Sequence, residues 1–197
     1  MMKRSFDILF ASCMLVLLIP LFLVVSCWII LDSKGGVFFG QERVGKGGRA
    51  FKLWKFRTMR PHSERSGQLT VGSADKRITG AGYFLRKFKL DELPQLWNVV
   101  RGDMSVVGPR PEVPRYVALY TEEQKRVLSI RPGITDYASL RYFEESDLLA
   151  KAQDPEATYI HDIMPAKLKL NIEYLDNHSF WGDLSIVLQT GIRVLRA

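Results

Sequence analysis

Hydrophobic positions run unbroken from Ile8 to Leu31, 24 residues without a charge, bracketed by Asp7 and Asp32. A straight helix of that length reaches about 36 Å, enough to cross a bilayer core of about 30 Å. Pro20 sits in the middle of the run. It removes a backbone donor and clashes with the preceding turn, so the pattern predicts a kink or break there. Both flanks are basic: Lys3 and Arg4 before the run, then Lys34, Arg43, Lys46 and Arg49 after it. Cationic flanks prefer the cytoplasmic side, which suits a helix that enters, bends and returns. Each arm would then reach about 17 Å. A single-pass helix with a tolerated proline satisfies the hydropathy as well, and both readings stand at this level. The run exceeds a signal-peptide core and no small-residue cleavage site follows it, which argues against a cleaved leader.

Beyond Asp32 the patterns shorten. Val37-Phe38-Phe39 and Phe51-Lys52-Leu53-Trp54-Lys55-Phe56 flank a glycine-rich stretch and predict a β-hairpin. Period-two alternation puts Phe51, Leu53 and Lys55 on one face and Lys52, Trp54 and Phe56 on the other, so both faces should be partly covered. The polar stretch from Pro61 to Lys76 reads as a loop. Thr79 to Phe88 reads as a helix, and a second begins near Leu90 and ends at Arg101-Gly102, a cation followed by a C-cap glycine. Gly108-Pro109-Arg110-Pro111 is a rigid turn because two prolines fix two φ angles. Shorter helices are expected over Glu122 to Ile130 and Ser146 to Ala152, with a longer one from Pro165 through Leu175. The tail from Leu184 to Leu195 is amphipathic, with Arg193 and Arg196 near its polar edge. It suits either the membrane interface or a face of the domain core. As a dimer contact it would serve equally. These elements add up to a mainly helical α+β fold: a membrane segment over 1–33 and one domain over 34–197.

The chain has 197 residues and a net charge of +7. Removing the first 32 leaves about 165, enough for one core-bearing domain. The positive balance fits anionic lipid headgroups or a phosphorylated substrate, and the absence of any zinc-finger or RNA-binding signature argues against nucleic acid. Cys13 and Cys27 both lie inside the apolar run and read as small hydrophobes, not as a disulfide or metal pair. His62, His161 and His178 are scattered, so spacing offers no histidine metal site.

Asp91 and Glu92 are adjacent carboxylates, followed by Pro94. A proline there suggests a first helical turn, which places Asp91 at or near the N-cap. An aspartate cap stabilises a helix by about 1 kcal/mol and needs no further role. The same place also offers unpaired N–H groups to a phosphate and keeps a carboxylate ionised, ready to act as a nucleophile. Two adjacent acids suffice for Mg²⁺, which takes its other ligands from phosphate and water. Candidate phosphate partners are Lys55 and Arg57 in Lys55-Phe56-Arg57-Thr58-Met59, Arg77 and Arg86 on either side of a glycine turn, and Arg110 held between its prolines. A guanidinium on a stiff turn suits two-point phosphate contact.

Four motifs now stand in order: Lys55 to Met59, Leu90-Asp91-Glu92-Leu93-Pro94-Gln95-Leu96-Trp97-Asn98-Val99, Gly102-Asp103-Met104-Ser105-Val106-Val107-Gly108-Pro109-Arg110-Pro111, and Arg131-Pro132-Gly133-Ile134-Thr135. In this order they resemble the bacterial sugar transferase family, the small monotopic polyprenyl-phosphate phosphoglycosyl transferases. The likeness covers nearly the whole chain. It implies a re-entrant helix broken at Pro20, with both ends and the catalytic domain on the cytoplasmic face of the bacterial inner membrane. It implies that Asp91 attacks the β-phosphate of a UDP-sugar, releasing UMP and leaving a phosphosugar-aspartate. Undecaprenyl or another polyprenyl phosphate then takes the phosphosugar, in the first membrane step of exopolysaccharide, lipopolysaccharide O-antigen or glycoprotein glycan assembly. In the family Glu92 is tied to Mg²⁺, and Arg57 and Arg110 face phosphate.

The chain departs from the family pattern in three places. Family members often follow Pro-Gly-Ile-Thr with glycine and then tryptophan; here Asp136-Tyr137-Ala138-Ser139 follows. The segment from Arg141 to Lys167 is longer than in the smallest members. Ile19 precedes Pro20 where some relatives carry serine. The first two changes lie where donor choice could be set, so the resemblance does not name a sugar. The competing class is a membrane-tethered, non-catalytic interaction protein in which Asp91 and Glu92 only cap a helix.

Overall fold

The computed structural model describes residues 2–61, 63, 69–72 and 75–196. The apolar run forms two helices, α1 (Met2–Leu17) and α2 (Ile19–Asp32), bent 61° from one another. The break lies at Leu18 rather than at Pro20, which sits in the first turn of α2. A missing N–H costs nothing at that position, so the proline starts the second helix instead of interrupting the first. No single helix among the described residues is long and apolar enough to cross a membrane, and the bent pair meets that test only as a unit.

One face of each arm is buried. Ala11 packs with Leu53, Leu96, Val99, Met104 and Ile186 in one core cluster, and Val25 and Ile29 pack with Phe56 and Leu85 in another. The opposite faces leave Leu9, Val16, Leu17, Ile19, Leu23, Val24, Ile30 and Leu31 exposed. An uncovered apolar surface of this kind marks contact with lipid or a partner.

Polar ties hold both ends of the pair to the same domain. Arg4 donates to the carbonyls of Val99 (2.8 Å), Met104 (3.3 Å) and Val100 (3.3 Å). Lys3 pairs with Asp183. Buried Asp7 accepts from the Ser105 hydroxyl (2.7 Å) and the Val106 N–H (3.1 Å). At the other end, Arg57 donates to the carbonyls of Ser33 (2.9 Å) and Lys34 (2.6 Å), the C-terminal end of α2. Cations are favoured there because the last carbonyls lack helical partners. Asp32 accepts from Ala81 N–H (3.1 Å) at the start of α3 (Gly80–Lys87).

The expected hairpin is present as β1 (Phe38–Val44) and β2 (Ala50–Phe56), paired from Phe38↔Phe56 to Val44↔Ala50. Both faces are covered, since Leu53 and Phe56 enter different core clusters. Of the loop expected over Pro61 to Lys76, about half, His62 included, lies outside the described residues. A Met59↔Ile78 bridge closes its base.

A one-turn 3-10 segment, Leu90–Glu92, leads into α4 (Gln95–Arg101), which ends on Gly102 in the left-handed region (φ 101°). β3 (Ser105–Val107) and β4 (Gly133–Thr135) form a short parallel pair. The pairing requires glycine: a Cβ on Gly133 would lie 2.1 Å from the Gly108 nitrogen. Between these strands lie α5 (Pro114–Val117) and a 3-10 segment, Gln124–Ser129, where a longer helix was expected.

After β4 come α6 (Tyr137–Arg141), α7 (Glu145–Ala150) and α8 (Pro155–Thr158). Asp154 caps α8, accepting from the Glu156 and Ala157 N–H groups, with Pro155 in its first turn. One π-type turn, Tyr159–Ile163, then joins α9 (Met164–Asn177), and α10 (Phe180–Leu195) closes the chain. α10 buries Asp183 and Ile186 and exposes Phe180, Trp181, Leu188, Ile192 and Leu195. It therefore packs on the core while presenting a second apolar face.

Candidate active site

Three local structures converge on the carboxylate pair. The first is the reversal after α3. Lys89 takes a left-handed conformation (φ 53°), alone among the described non-glycine residues. That geometry costs about 1 kcal/mol or more for an L-residue with a Cβ, and such strain gathers at functional sites. It turns the chain into the 3-10 segment that carries Asp91 and Glu92.

The second is the lock between β2 and α4. Asn98, fully buried, accepts from the Trp54 N–H (3.0 Å) and donates to the Lys52 carbonyl (2.7 Å). Lys55, one residue beyond, is thereby set against Glu92, with Nζ 3.1 Å from Oε1.

The third is the turn after β3. Asp136, fully buried at the start of α6, accepts from the Ser139 N–H and from the Arg110 N–H (3.0 Å). The Arg110 side chain then grips Glu92 at two points, Nη1 to Oε2 at 2.9 Å and Nη2 to Oε1.

The two carboxylates end in opposite electrostatic states. Asp91 is buried, and none of the described residues hydrogen-bonds its side chain. The N-cap expected of it is absent, since α4 starts three residues past the 3-10 segment with no side-chain cap. Burial pushes the Asp91 carboxyl above the usual aspartate range, with the Lys55 charge opposing and Glu92 adding to the rise. The expectation that a helix terminus keeps it ionised is corrected accordingly: desolvation dominates where no N–H reaches the carboxylate. Burial acts on Glu92 in the same sense, but the charges of Arg110 and Lys55 and the Arg110 hydrogen bonds outweigh it. They hold Glu92 well below the usual range. Burial lowers the Lys55 ammonium, with Glu92 partly offsetting it.

Asp91, Glu92, Lys55 and Arg110 line a cleft of about 490 Å³, together with Arg86 and Lys89. The Arg86 side chain has no ion-pair or hydrogen-bond partner among the described residues, and its charge acts on Asp91. Lys89 lies over the Phe143 ring at 4.8 Å. These four cations surround the Asp91–Glu92 pair, and with Arg43 and Lys167 against Glu112 and Glu145 the whole lining carries six cations and four carboxylates, an excess positive charge suited to an anionic ligand. The rest of the wall is built from the aromatics Tyr116, Tyr120, Tyr142, Phe143 and Tyr159, the neutral Ser139 and Asn171, and the ion pairs Arg43–Glu112 and Lys167–Glu145. Arg43 braces this wall by bonding both Glu112 (3.0 Å) and the Pro111 carbonyl (3.0 Å), while Tyr159 donates to Glu112.

Two of the sequence candidates lie elsewhere. Arg57 does not line the cleft; its guanidinium closes the end of α2. Arg77, also outside the cleft lining, pairs with Asp75 and donates to the Leu69 carbonyl (2.6 Å). Conversely, sequence reading passed over Lys89, Asn98 and Asp136. Asn98 carried a legible signal, a polar residue on the apolar stripe of α4. Lys89 and Asp136 carried none, since a positive φ and a buried backbone contact are not visible in spacing.

Fold and site define a class: a carboxylate pair set among cations, on a domain carrying a bent apolar helix pair, and suited to an anionic substrate. Comparison with known proteins names the family. The chain belongs to the bacterial sugar transferase family, whose model matches residues 1–197. It is 38% identical over 191 residues to the UDP-N-acetylgalactosamine-undecaprenyl-phosphate N-acetylgalactosaminephosphotransferase of Aeromonas hydrophila, covering 95% of this chain and 42% of that protein. It is 36% identical over 180 residues to the UDP-glucose:undecaprenyl-phosphate glucose-1-phosphate transferase of Xanthomonas campestris pv. campestris, covering 89% of this chain and 35% of that one. It is 36% identical over 205 residues to the exopolysaccharide production protein ExoY of Rhizobium meliloti (strain 1021), covering 96% and 84%. The chain spans less than half the length of the first two relatives and most of the third.

Proposed function

We propose that this chain transfers a phosphosugar from a UDP-sugar to undecaprenyl phosphate through a covalent intermediate on Asp91. The observation that carries the reading is the contrast within the dyad. Asp91 is buried, free of hydrogen bonds and open to the cleft, while Glu92 is immobilised by Arg110 and Lys55. A carboxylate stripped of donors is more basic and more nucleophilic than a solvated one. The names of the relatives, which act on UDP-sugars and undecaprenyl phosphate, support the same reaction class.

In the first half-reaction an Asp91 oxygen bonds to the β-phosphorus and the bond to the bridging oxygen breaks, so UMP leaves. In the second, an oxygen of the lipid phosphate bonds to the same phosphorus and the Asp91–phosphorus bond breaks. The aspartate is restored and a polyprenyl-diphosphate sugar is released. Arg110, Lys55, Arg86 and Lys89 offset the repulsion between a carboxylate and a diphosphate. Dividing the transfer lets one cleft serve a soluble donor and a lipid acceptor in turn.

The donor set fits Mg²⁺ with substrate help. Asp91 offers uncommitted oxygens, whereas those of Glu92 are engaged by Arg110 and Lys55. Among the described residues no group of three or more His, Cys, Asp or Glu side chains is placed to hold a metal. Asp91 would therefore be the readier ligand, with phosphate oxygens and water, the usual company of Mg²⁺, completing the set, and Glu92 would join it on giving up a contact with Arg110 or Lys55. Bound there, it would neutralise charge on the diphosphate.

The anchoring of α1 and α2 supports a re-entrant topology. Lys3, Arg4 and Asp7 tie one end to the domain, and Asp32 and Arg57 tie the other. Both ends therefore belong on the side of the membrane that carries the domain. The basic flanks, Lys3 and Arg4 before the pair and Lys34, Arg43, Lys46 and Arg49 after it, favour the cytoplasm for that side.

The test is UMP release by detergent-solubilised protein with Mg²⁺, undecaprenyl phosphate and a panel of UDP-sugars, alongside Asp91→Asn. Without acceptor, intact-mass measurement should find one phosphosugar added to the wild-type chain and none to the variant. An Asp91→Asn protein that still turns over would sink the covalent route.

A further inference from the structure

Four buried side-chain polar atoms among the described residues have neither a hydrogen bond nor an ion pair, Arg57 Nε, Gln95 Nε2, Ser139 Oγ and Asn171 Oδ1, while a fifth, Glu156 Oε1, has only its ion pair with Arg115. Only those of Ser139 and Asn171 belong to residues that line the cleft. They sit on α6 and α9, two helices that pack against each other.

Asn171 is the anomaly of α9. The buried stripe of that helix is Met164, Leu168, Asn171 and Tyr174, and Asn171 is 4% exposed. Helical periodicity calls for an apolar residue there. A buried amide without a partner is costly, and such groups in native proteins ask for an explanation. A ligand that completes the hydrogen bonds is one.

The surroundings select which part of a ligand this would be. The cationic wall around Asp91 suits a diphosphate. Asn171 and Ser139 are neutral, and an amide and a hydroxyl between them both donate and accept, which matches a sugar substituent. Lys167, one turn before Asn171 on α9, pairs with Glu145 (2.5 Å), and the Glu145 charge acts on Arg110. The neutral pair is therefore linked to the phosphate end of the cleft through one ion pair. The sugar of the donor hangs directly from the phosphorus that Asp91 attacks, whereas the uridine lies beyond a second phosphate.

We infer that Asn171 and Ser139 form the donor-sugar subsite, hydrogen-bonding a hydroxyl or acetamido group on the ring and setting sugar preference. This rests on the phosphosugar-transfer reading above. It also gives a role to two segments in which the chain departs from its family pattern, Asp136 to Ser139 and Arg141 to Lys167, which frame the subsite.

The test compares wild-type full-length chain with Asn171→Leu and Ser139→Ala in UMP release. The donors are UDP-glucose, UDP-galactose, UDP-N-acetylglucosamine and UDP-N-acetylgalactosamine, with UMP as a competing inhibitor. Leucine keeps the heavy-atom count of asparagine and removes only its hydrogen bonding. With the donor preferred by wild type, kcat/KM should fall about tenfold or more in Asn171→Leu, the value of one lost substrate hydrogen bond. Preference among the four donors should narrow, UMP inhibition should hold, and the unfolding temperature should rise because an unpaired amide is gone. Ser139→Ala repeats the test with minimal change of packing. Unchanged kcat/KM and preference in both variants would overturn the inference. So would UMP inhibition weakened in step with turnover, which would place the uridine at this wall. No UMP from any donor with wild type would instead bring down the transfer reading itself.

Discussion

Glu92 and Arg110 meet in a two-point ion pair across the cleft, and Lys55 bonds the same Glu92 oxygen at 3.1 Å. The pair fixes one member of the carboxylate dyad and leaves its neighbour, Asp91, without a donor. It also joins two parts of the chain that are 18 residues apart, the 3-10 segment before α4 and the turn after β3.

Removing Arg110 should therefore do two things. In Arg110→Ala the buried Glu92 loses its main partner, and leaving a charge so exposed to desolvation costs about 2 kcal/mol or more. Chemical denaturation should register that loss. Arg110→Lys keeps the charge but not the two-point geometry, so it should recover most of the stability and little of the UMP release.

The dyad makes opposite demands on pH. Burial raises Asp91 above its ordinary 3.8, so the native state holds that proton more tightly than the unfolded chain. Its contribution to stability is full below 3.8 and is lost as pH rises through the folded value. Glu92 is held well below 4.5, so its contribution is present above 4.5 and is lost as pH falls through the folded value. Asp91→Asn should accordingly be more stable than wild type near pH 7, measured by thermal unfolding. The acid limb of kcat/KM for UMP release should fall at a pH above the ordinary aspartate range. A limb centred at or below 3.8 would contradict a buried Asp91 acting as the nucleophile.

Arg57 and Arg86 separate by function. Arg57→Ala uncaps α2, and should lower the unfolding temperature while leaving KM for the UDP-sugar within about twofold, since Arg57 lies outside the cleft lining. Arg86→Ala removes an unpartnered cation from the cleft. It should raise KM about tenfold, roughly one charge-assisted hydrogen bond, with little change in stability.

Asn98 is the residue through which a structural change should reach the chemistry. Asn98→Ala orphans the Trp54 N–H and the Lys52 carbonyl inside the protein, at about 1–3 kcal/mol for each buried group left unpaired. Equilibrium unfolding should show that loss. Lys55 should also lose its register against Glu92, so kcat should fall even at temperatures where the variant is fully folded.

Much of this protein was legible in its sequence because the responsible forces are local. The charge-free run with Pro20 called for a kink or break near its middle, which falls two residues earlier at Leu18, the glycine-rich turn between Phe39 and Phe51 dictated a hairpin, and Arg101-Gly102 dictated a helix end. Asp91, Glu92 and Arg110 stood out because an adjacent acid pair and a proline-locked arginine are readable as patterns. Tertiary structure decided the rest. Arg57 and Arg110 look alike in a sequence, yet one meets the carbonyl end of α2 and the other meets Glu92. Whether Asp91 caps a helix or stands buried and donor-free at the cleft depended on the left-handed turn at Lys89 and on what packs around it. The partnerless Asn171 acquires meaning only when α6 folds against α9. Charge, burial and pairing are properties of neighbours brought together from distant parts of the chain, and composition and spacing along one strand of sequence do not contain them.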